Sequence, residues 1–152
     1  MRNIREKKMK TAAGIEEAVD KLKDNCLRPS VIRIRVLNLL MENRKHPSAK
    51  DIYRQLVKEM PTLSKTSVYN TLKLFIKKGM VSGILADDKE LRYDAETGTH
   101  GHFICVRCGA LHDVCAKGGA CSGNIPEGFV VLEEQVYLKG YCAPCAKKGG
   151  HR

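Results

Sequence analysis

The 152-residue sequence has no long uncharged apolar stretch. No segment approaches the roughly 18 apolar residues that a transmembrane helix needs, which excludes a membrane-spanning protein. The basic start of the chain, residues 1–10, leads into no apolar run, so it does not have the form of a secretory signal. We therefore expect a cytoplasmic protein, in which cysteine thiols stay reduced.

The first 93 residues are poor in acidic side chains, cysteine and histidine. They hold 21 basic but only 11 acidic residues, one of the seven cysteines and one of the five histidines. The remaining 59 residues hold six basic and six acidic side chains, so the net charge of +10 is confined to the first part. Nucleic acid is the commonest partner of such a basic surface, although a solvated basic tail would have the same composition.

Hydrophobic spacing and capping residues predict four helices in the first part, after a basic arm at 1–10 with the composition of a mobile segment. A serine stands before each of the last three helices, where its hydroxyl can accept hydrogen bonds from the free N–H groups of the first turn. Gly79 is expected to end the fourth helix, because glycine tolerates left-handed geometry. The helices are predicted at residues 11–23, 31–42, 49–60 and 65–78, with caps at Ser30, Ser48 and Ser64.

Short segments with strand composition follow the helices. Residues 80–85 and 90–93 flank a polar turn, and helices followed by such a hairpin form a winged helix-turn-helix. We therefore expect an α+β protein, with an N-terminal winged helix-turn-helix domain in residues 1–93 and a small α/β domain in residues 94–152. The second domain has four predicted strands, at residues 102–106, 111–114, 129–132 and 135–138.

The predicted helix at 65–78 has one apolar and one polar face. Val68, Leu72 and Phe75 repeat at helical spacing and are expected in the core. The other face suits DNA, because Lys pairs with phosphates and Asn with adenine edges. A solvated surface helix would show the same pattern, but the surrounding positive charge favours DNA binding. With two basic residues of the hairpin, the candidate DNA contacts are Lys65, Thr66, Tyr69, Asn70, Lys73, Lys89 and Arg92.

Two Cys-x-x-Cys pairs bracket residues 109–141. Each pair can offer two thiolates at one point, and two such pairs complete the tetrahedral sulfur site that structural zinc prefers. Two redox pairs, two disulfides or an iron–sulfur cluster are the alternatives. A site filled by four thiolates has no open position, so we interpret it as a clamp for the fold and not as a catalyst. The four residues are Cys105, Cys108, Cys142 and Cys145.

Imidazole and carboxylate groups surround the start of the second part. His100 and His102 alternate along the chain, which points both rings to one side of a strand. With Asp113 and the distant His46 they form a donor set that suits Fe(II), Mn(II) or zinc. Ordinary surface polar residues are the alternative, above all for His46. The sequence shows no nucleophile–base arrangement, so we do not expect an enzyme.

Three segments together resemble the ferric uptake regulator family, over about residues 14 to 147. The resemblance implies a bacterial homodimeric transcriptional repressor that binds a palindromic double-stranded DNA operator. Its parts would be a winged-helix domain, a hinge, and an α/β dimerisation domain whose four cysteines hold a structural zinc. The segments are HGHFICVRCG at 100–109, GYCAPC at 140–145 and SVYNTL at 67–72.

The sequence is most similar to the peroxide-responsive branch of that family. Asp94 stands where the iron-uptake branch usually has Glu, and residues 133–135 lack the His that the iron-uptake branch tends to use. The resemblance implies that peroxide oxidises a His ligand of bound iron and releases the repressor from DNA. An iron- or manganese-uptake regulator without peroxide chemistry is the alternative. The implied ligands of the regulatory iron or manganese are His46, Asp94, His100, His102 and Asp113.

The sequence departs from the family pattern between the two cysteine pairs. The family normally has a helix there, whereas residues 115–123 are short and rich in glycine. Cys115 and Cys121 are additional thiols, which we expect to be inert; metal binding and redox sensitivity are the alternatives.

Overall fold

The computed structural model describes residues 2–43, 45–87, 90–98, 100–114, 125–132 and 134–149. Side chains are described from residue 13 onward in these ranges, apart from residues 86 and 87. The chain divides into two compact units, Met1–Thr97 and Gly98–Arg152. Among the described residues, no helix combines the length and the apolar character that crossing a membrane requires.

The first unit contains four helices followed by an antiparallel hairpin, as a winged helix-turn-helix requires. Side chains from all four helices and the hairpin meet in one core, in which Leu22, Ile52, Leu72 and Phe75 are fully buried. The elements are α1 (Arg2–Asp24), α2 (Val31–Glu42), α3 (Ala49–Leu56), α4 (Lys65–Lys77), β1 (Ser82–Asp87) and β2 (Glu90–Asp94).

The three serine caps form as the sequence predicts. Ser30, Ser48 and Ser64 each accept a hydrogen bond from the backbone N–H three residues later. At Ser48 the bond is reciprocal, because the Asp51 carboxylate accepts from the Ser48 backbone N–H at 3.2 Å. Gly79 follows α4 with a φ of +67°, the left-handed conformation expected there.

The basic arm predicted at residues 1–10 is wrong, because α1 begins at Arg2. The segment before Gly14 contains no glycine or proline, and its Arg, Lys, Met and Glu residues have high helix propensity. Extending an existing helix is much easier than nucleating one. The fully buried Ala18 and Leu22 fix the C-terminal part of α1 against the core, and the helix extends from there toward its N-terminus. The helix predicted at 49–60 instead ends at Leu56, where turns bonded to the Leu56 carbonyl take over.

The second unit is a three-stranded sheet followed by a short helix. Its strand order is β4-β3-β5, with β3 antiparallel to β4 and parallel to β5. Three of the four predicted strands are thus confirmed within small shifts of their ends. The elements are β3 (Gly101–Cys105), β4 (Leu111–Val114), β5 (Val136–Gly140) and α5 (Ala143–Lys147).

The strand predicted at residues 129–132 is wrong. Phe129, Val130, Val131 and Leu132 have no strand partner among the described residues, and they are 71, 82, 55 and 94% exposed. Apolar composition produces a strand only where another backbone is available for pairing. Cys115 and Cys121, whose role the sequence left open, lie outside the described residues.

Candidate metal centres and nucleic-acid interface

The parallel pairing of β3 and β5 brings the two cysteine pairs together. Cys105 ends β3 opposite Gly140, the last residue of β5, and Cys142 stands immediately before α5. The four sulfur atoms of Cys105, Cys108, Cys142 and Cys145 lie within 4.8 Å of one another. The Sγ atoms of Cys108 and Cys142 are 3.7 Å apart. This matches the edge of a ZnS₄ tetrahedron, about 3.8 Å for a Zn–S bond of about 2.3 Å.

The protonation of these thiols favours a bound cation. The backbone N–H of Cys142 donates to Cys105 Sγ at 3.3 Å, and this bond is the main reason that the pKa of Cys105 is lowered to about 6. The hydrogen bond with the Cys142 side chain and burial raise the pKa of Cys145 to about 12. Four crowded thiols cannot all ionise without a compensating charge, which a divalent ion supplies. None of the described cysteines forms a disulfide, so the donor set fits zinc better than it fits two disulfides.

Arg107 links the two cysteine pairs, a contact that the sequence did not predict. Its Nη1 atom donates to the backbone carbonyls of Cys145 and Lys148, both at 3.3 Å. The Cys145 carbonyl also accepts from the Lys148 backbone N–H, so the guanidinium adds a second bond there and one to the carbonyl of Lys148, the C-cap of the short helix. An arginine within a Cys-x-x-Cys loop carries no local signal of this contact, because its partners lie 38 and 41 residues away.

The second unit also gathers three imidazole and carboxylate groups. His102 on β3 pairs with Asp113 on β4, and the Nε2 atoms of His100 and His102 both lie 3.9 Å from Asp113 Oδ1. His100 Nδ1 is 2.7 Å from the Gly98 carbonyl. Since a carbonyl can only accept, Nδ1 carries the proton and Nε2 keeps the lone pair that a metal needs. The Tyr137 ring stacks beside His102, with ring centroids 6.0 Å apart.

The first unit holds the other two predicted ligands, His46 and Asp94. His46 Nε2 lies 3.4 Å from Asp94 Oδ2, and the two side chains are 2% and 10% exposed. Asp94 Oδ1 accepts from the Glu96 backbone N–H at 2.8 Å, which orients the carboxylate. His46 has a φ of +48°, a conformation that is uncommon outside glycine and that tertiary contacts must stabilise.

These five side chains offer only nitrogen and oxygen donors. Such donors suit Fe(II), Mn(II) or zinc, whereas the four-cysteine set suits softer, structural zinc binding. Each unit therefore carries part of a donor set that differs chemically from the thiolate site. The set comprises His46 and Asp94 in the first unit and His100, His102 and Asp113 in the second.

The predicted DNA-contact residues fall into two groups in the structure. On α4 the apolar stripe is fully buried, and the predicted contacts are exposed on the opposite face. Lys89 lies outside the described residues. Arg92 is half-buried, unlike the exposed α4 side chains, and its Nη1 donates to the His46 carbonyl at 3.4 Å. The exposed α4 residues are Lys65, Thr66, Tyr69, Asn70 and Lys73.

Comparison with known proteins gives a consistent result. A model of the ferric uptake regulator family matches residues 24–118. The chain is 32% identical over 144 residues to the peroxide operon regulator of Bacillus subtilis (strain 168), covering 92% of this chain and 99% of that protein.

Two solved structures have a similar fold. A zinc uptake regulator complexed with zinc and DNA is 23% identical with a TM-score of 0.67, and the match covers 93% of this chain and 98% of that one. The ferric uptake regulator of Helicobacter pylori is 20% identical with a TM-score of 0.65, over 90% and 93% of the two chains. At these identities the structures support the fold, and the α+β class expected from the sequence is confirmed.

Proposed function

Because this chain belongs to the ferric uptake regulator family of metal-dependent transcription regulators, we propose that it is a peroxide-sensing repressor. It acts in the cytoplasm as a homodimer on a palindromic DNA operator, and it is not an enzyme. Family members act as dimers on DNA operators. Peroxide is the signal to which this member responds.

The four cysteines hold zinc as a structural clamp. All four positions of a tetrahedral ion are filled by thiolates, which leaves no position for a substrate. Three backbone N–H groups, from Cys142, Cys108 and Arg107, donate to Cys105, and the Arg107 side chain cross-links the two cysteine pairs. The clamp stabilises the second unit whether or not the regulatory metal is present.

We assign His46, Asp94, His100, His102 and Asp113 to one regulatory iron or manganese site. Two ligands from the first unit and three from the second are each too few for the five or six positions that such ions use. A shared ion would complete both sets and couple the units, as a metal-dependent switch requires. Asp94 and His100 are only six residues apart in the sequence, which keeps the two sets near each other along the chain.

The exposed face of α4 contacts DNA in this proposal. Lys65 and Thr66 lie at the helix start, where backbone N–H groups favour phosphate. Asn70 can pair with an adenine edge, and Tyr69 can contact a thymine methyl or a phosphate. In a homodimer, two copies of this face match two half-sites of a palindrome.

The peroxide assignment is carried by the ligand position of Asp94. The family resemblance implies Asp at this buried position in the peroxide-responsive branch and Glu in the iron-uptake branch, and the relative that is 32% identical is a peroxide operon regulator. Iron(II), when bound, would activate peroxide. In the net reaction the imidazole would lose two electrons, one peroxide oxygen would replace the hydrogen on a ring carbon, and the other oxygen would leave as water. The oxidised ligand, His46 or His100, would then bind the metal poorly, the coupling between the units would end, and DNA would be released.

Mass spectrometry of zinc-loaded protein tests this assignment. Protein loaded with Fe(II) or with Mn(II) is treated with hydrogen peroxide, digested, and searched for added oxygen. We expect one added oxygen on the peptide with His46 or on the peptide with His100, in the Fe(II) sample alone, together with loss of DNA binding. Mn(II)-loaded protein is the matched control, because Mn(II) fills the same site without this reaction.

An uptake regulator without peroxide chemistry is the competing function. It would keep its DNA affinity after the Fe(II)-loaded protein meets peroxide, with neither histidine modified. That result would contradict peroxide sensing and leave metal-dependent repression intact. Turnover of a hydrolysable substrate by the zinc-loaded protein would contradict the non-enzymatic assignment.

A further inference from the structure

Arg92 is tied to the backbone beside the buried ligand His46. Its Nη1 atom donates to the His46 carbonyl at 3.4 Å, across 46 residues of sequence. Its Nε atom is buried and has no hydrogen-bond partner among the described residues. An arginine that served a phosphate would extend its guanidinium into solvent. The side chain is thus directed at the ligand loop.

The residues on either side strengthen the same connection. Arg92 on β2 forms a backbone bridge with Ser48, and the Tyr93 N–H donates to the Pro47 carbonyl at 3.1 Å. Residues 46–48 are therefore bound along 92–93, one step before the Asp94 ligand. This pairing sets the 3.4 Å approach between His46 Nε2 and Asp94 Oδ2.

The backbone of His46 needs such external support. A φ of +48° is unfavourable for a residue with a Cβ, and it persists only where surrounding contacts hold it. The hydrogen bond from Arg92 acts on the peptide group that follows this φ angle. It therefore restrains the backbone that aims the imidazole.

We propose that Arg92 is a positioning residue for the His46–Asp94 ligand pair and does not contact DNA. The inference rests on the proposed regulatory metal site and deepens it, by naming a residue that sets the affinity of the site. It also reassigns a side chain that its basic character and its place in the hairpin make a candidate DNA contact. Outer groups that orient metal ligands typically change metal affinity by about 10- to 100-fold when removed.

The test compares the Arg92→Gln and Lys73→Gln variants of the full-length, zinc-loaded protein. Mn(II) affinity is measured from the electron paramagnetic resonance signal of free Mn(II). Operator affinity is measured at saturating Mn(II) over a range of salt concentrations, on DNA selected by the wild-type protein. We expect Arg92→Gln to weaken Mn(II) binding by about 10- to 100-fold. Its salt slope, the slope of log operator affinity against log salt concentration, should be unchanged. Lys73→Gln should do the opposite, lowering the slope by about 1 for each protomer and leaving Mn(II) affinity unchanged.

Each other outcome has a definite meaning. A lower salt slope in Arg92→Gln makes Arg92 a phosphate contact and overturns the proposal, as does unchanged Mn(II) affinity. If Arg92→Gln does not fold, Arg92→Lys replaces it, because Lys keeps the charge and stem but not the planar donor group. Arg92→Lys with wild-type Mn(II) affinity would also overturn the proposal. If wild-type protein and His46→Ala bind Mn(II) equally, the regulatory site itself fails, which is distinct from failure of Arg92.

Discussion

His46 Nε2 lies 3.4 Å from Asp94 Oδ2 inside the first unit, although 47 residues separate them in the sequence. Both side chains are buried, and a buried carboxylate is unfavourable unless a positive charge or hydrogen bonds accompany it. Asp94 Oδ1 accepts from the Glu96 backbone, which leaves Oδ2 toward the imidazole. An imidazole and a carboxylate that meet in this way are well suited to bind a cation together.

Replacing His46 by Ala should abolish Mn(II)-dependent operator binding and leave the zinc content unchanged. The substitution removes one regulatory ligand from the first unit, whereas all four zinc ligands lie in the second. Fluorescence anisotropy of labelled DNA with and without Mn(II) measures the first effect, and elemental analysis the second. His112→Ala is the matched control, because His112 is exposed and outside the ligand set. Mn(II)-dependent operator binding by the His46→Ala variant would show that His46 is not a ligand of the regulatory metal.

Replacing Cys142 by Ser should cause loss of zinc and an unfolded or monomeric second unit. Structural zinc contributes on the order of 10 kcal/mol in small metal-bound domains, and a hydroxyl does not replace a thiolate ligand. Zinc per chain and the mass from light scattering are the measurements. Cys26→Ser, an exposed cysteine in the first unit, should retain both zinc and the dimer. A folded, zinc-loaded Cys142→Ser dimer would refute the clamp.

Replacing Ser48 by Ala should destabilise the first unit by about 1 kcal/mol near neutral pH, since an N-cap is lost. Part of this difference depends on pH. The Ser48 side chain and backbone donate to the Asp51 carboxylate, and the side-chain bond is the main cause of the lowered Asp51 pKa. A depressed carboxyl pKa adds stability above the unfolded value of 3.8, and this stability is lost as pH falls through the folded value.

Urea unfolding of metal-free protein at about pH 6 and about pH 3 measures this pH dependence. The difference between wild type and Ser48→Ala should shrink at the lower pH. Ser64→Ala is the control, because Ser64 caps α4 through Ser67, which does not titrate. A Ser48→Ala difference that is constant with pH would show that Asp51 contributes nothing to the cap.

The effect of Gly14→Ala on the free energy of unfolding should reverse its sign when Asn38 is replaced by Ala. A Cβ at Gly14 would approach Asn38 Oδ1 on α2 more closely than real Cβ atoms approach their neighbours. Asn38 Oδ1 is also buried without a hydrogen-bond partner among the described residues. In wild type, we expect Gly14→Ala to destabilise by about 1–3 kcal/mol through overpacking.

In an Asn38→Ala background the crowding atom is gone. Gly14→Ala should then stabilise the protein by about 1 kcal/mol, because alanine has the higher helix propensity. Urea unfolding of the four proteins in this double-mutant cycle gives the interaction between the two sites. Equal effects of Gly14→Ala in both backgrounds would exclude Asn38 as the cause.

Local chemistry in the sequence determined most of the fold and the ligand types. A serine hydroxyl caps a helix through neighbours three residues away, and an apolar stripe on a helix faces the core. Two Cys-x-x-Cys pairs indicate a thiolate site because each pair brings its own two sulfurs together. The family resemblance is confirmed by the family model over residues 24–118 and by the relative that is 32% identical. These features depend on residues close in sequence, where spacing fixes geometry.

Only the tertiary structure decided the roles that depend on distant partners. Arg92 is basic and lies in the hairpin, as expected of a DNA contact, but its guanidinium donates to a carbonyl 46 residues away. Arg107 shows no local signal, because the carbonyls that it bonds, those of Cys145 and Lys148, lie 38 and 41 residues away. The apolar residues 129–132 form no strand, because pairing needs a neighbouring backbone and composition does not supply one. The sequence thus determined which side chains carry the chemistry for binding metal or DNA, and long-range packing decided which of them are exposed, which are buried and which contact a distant residue.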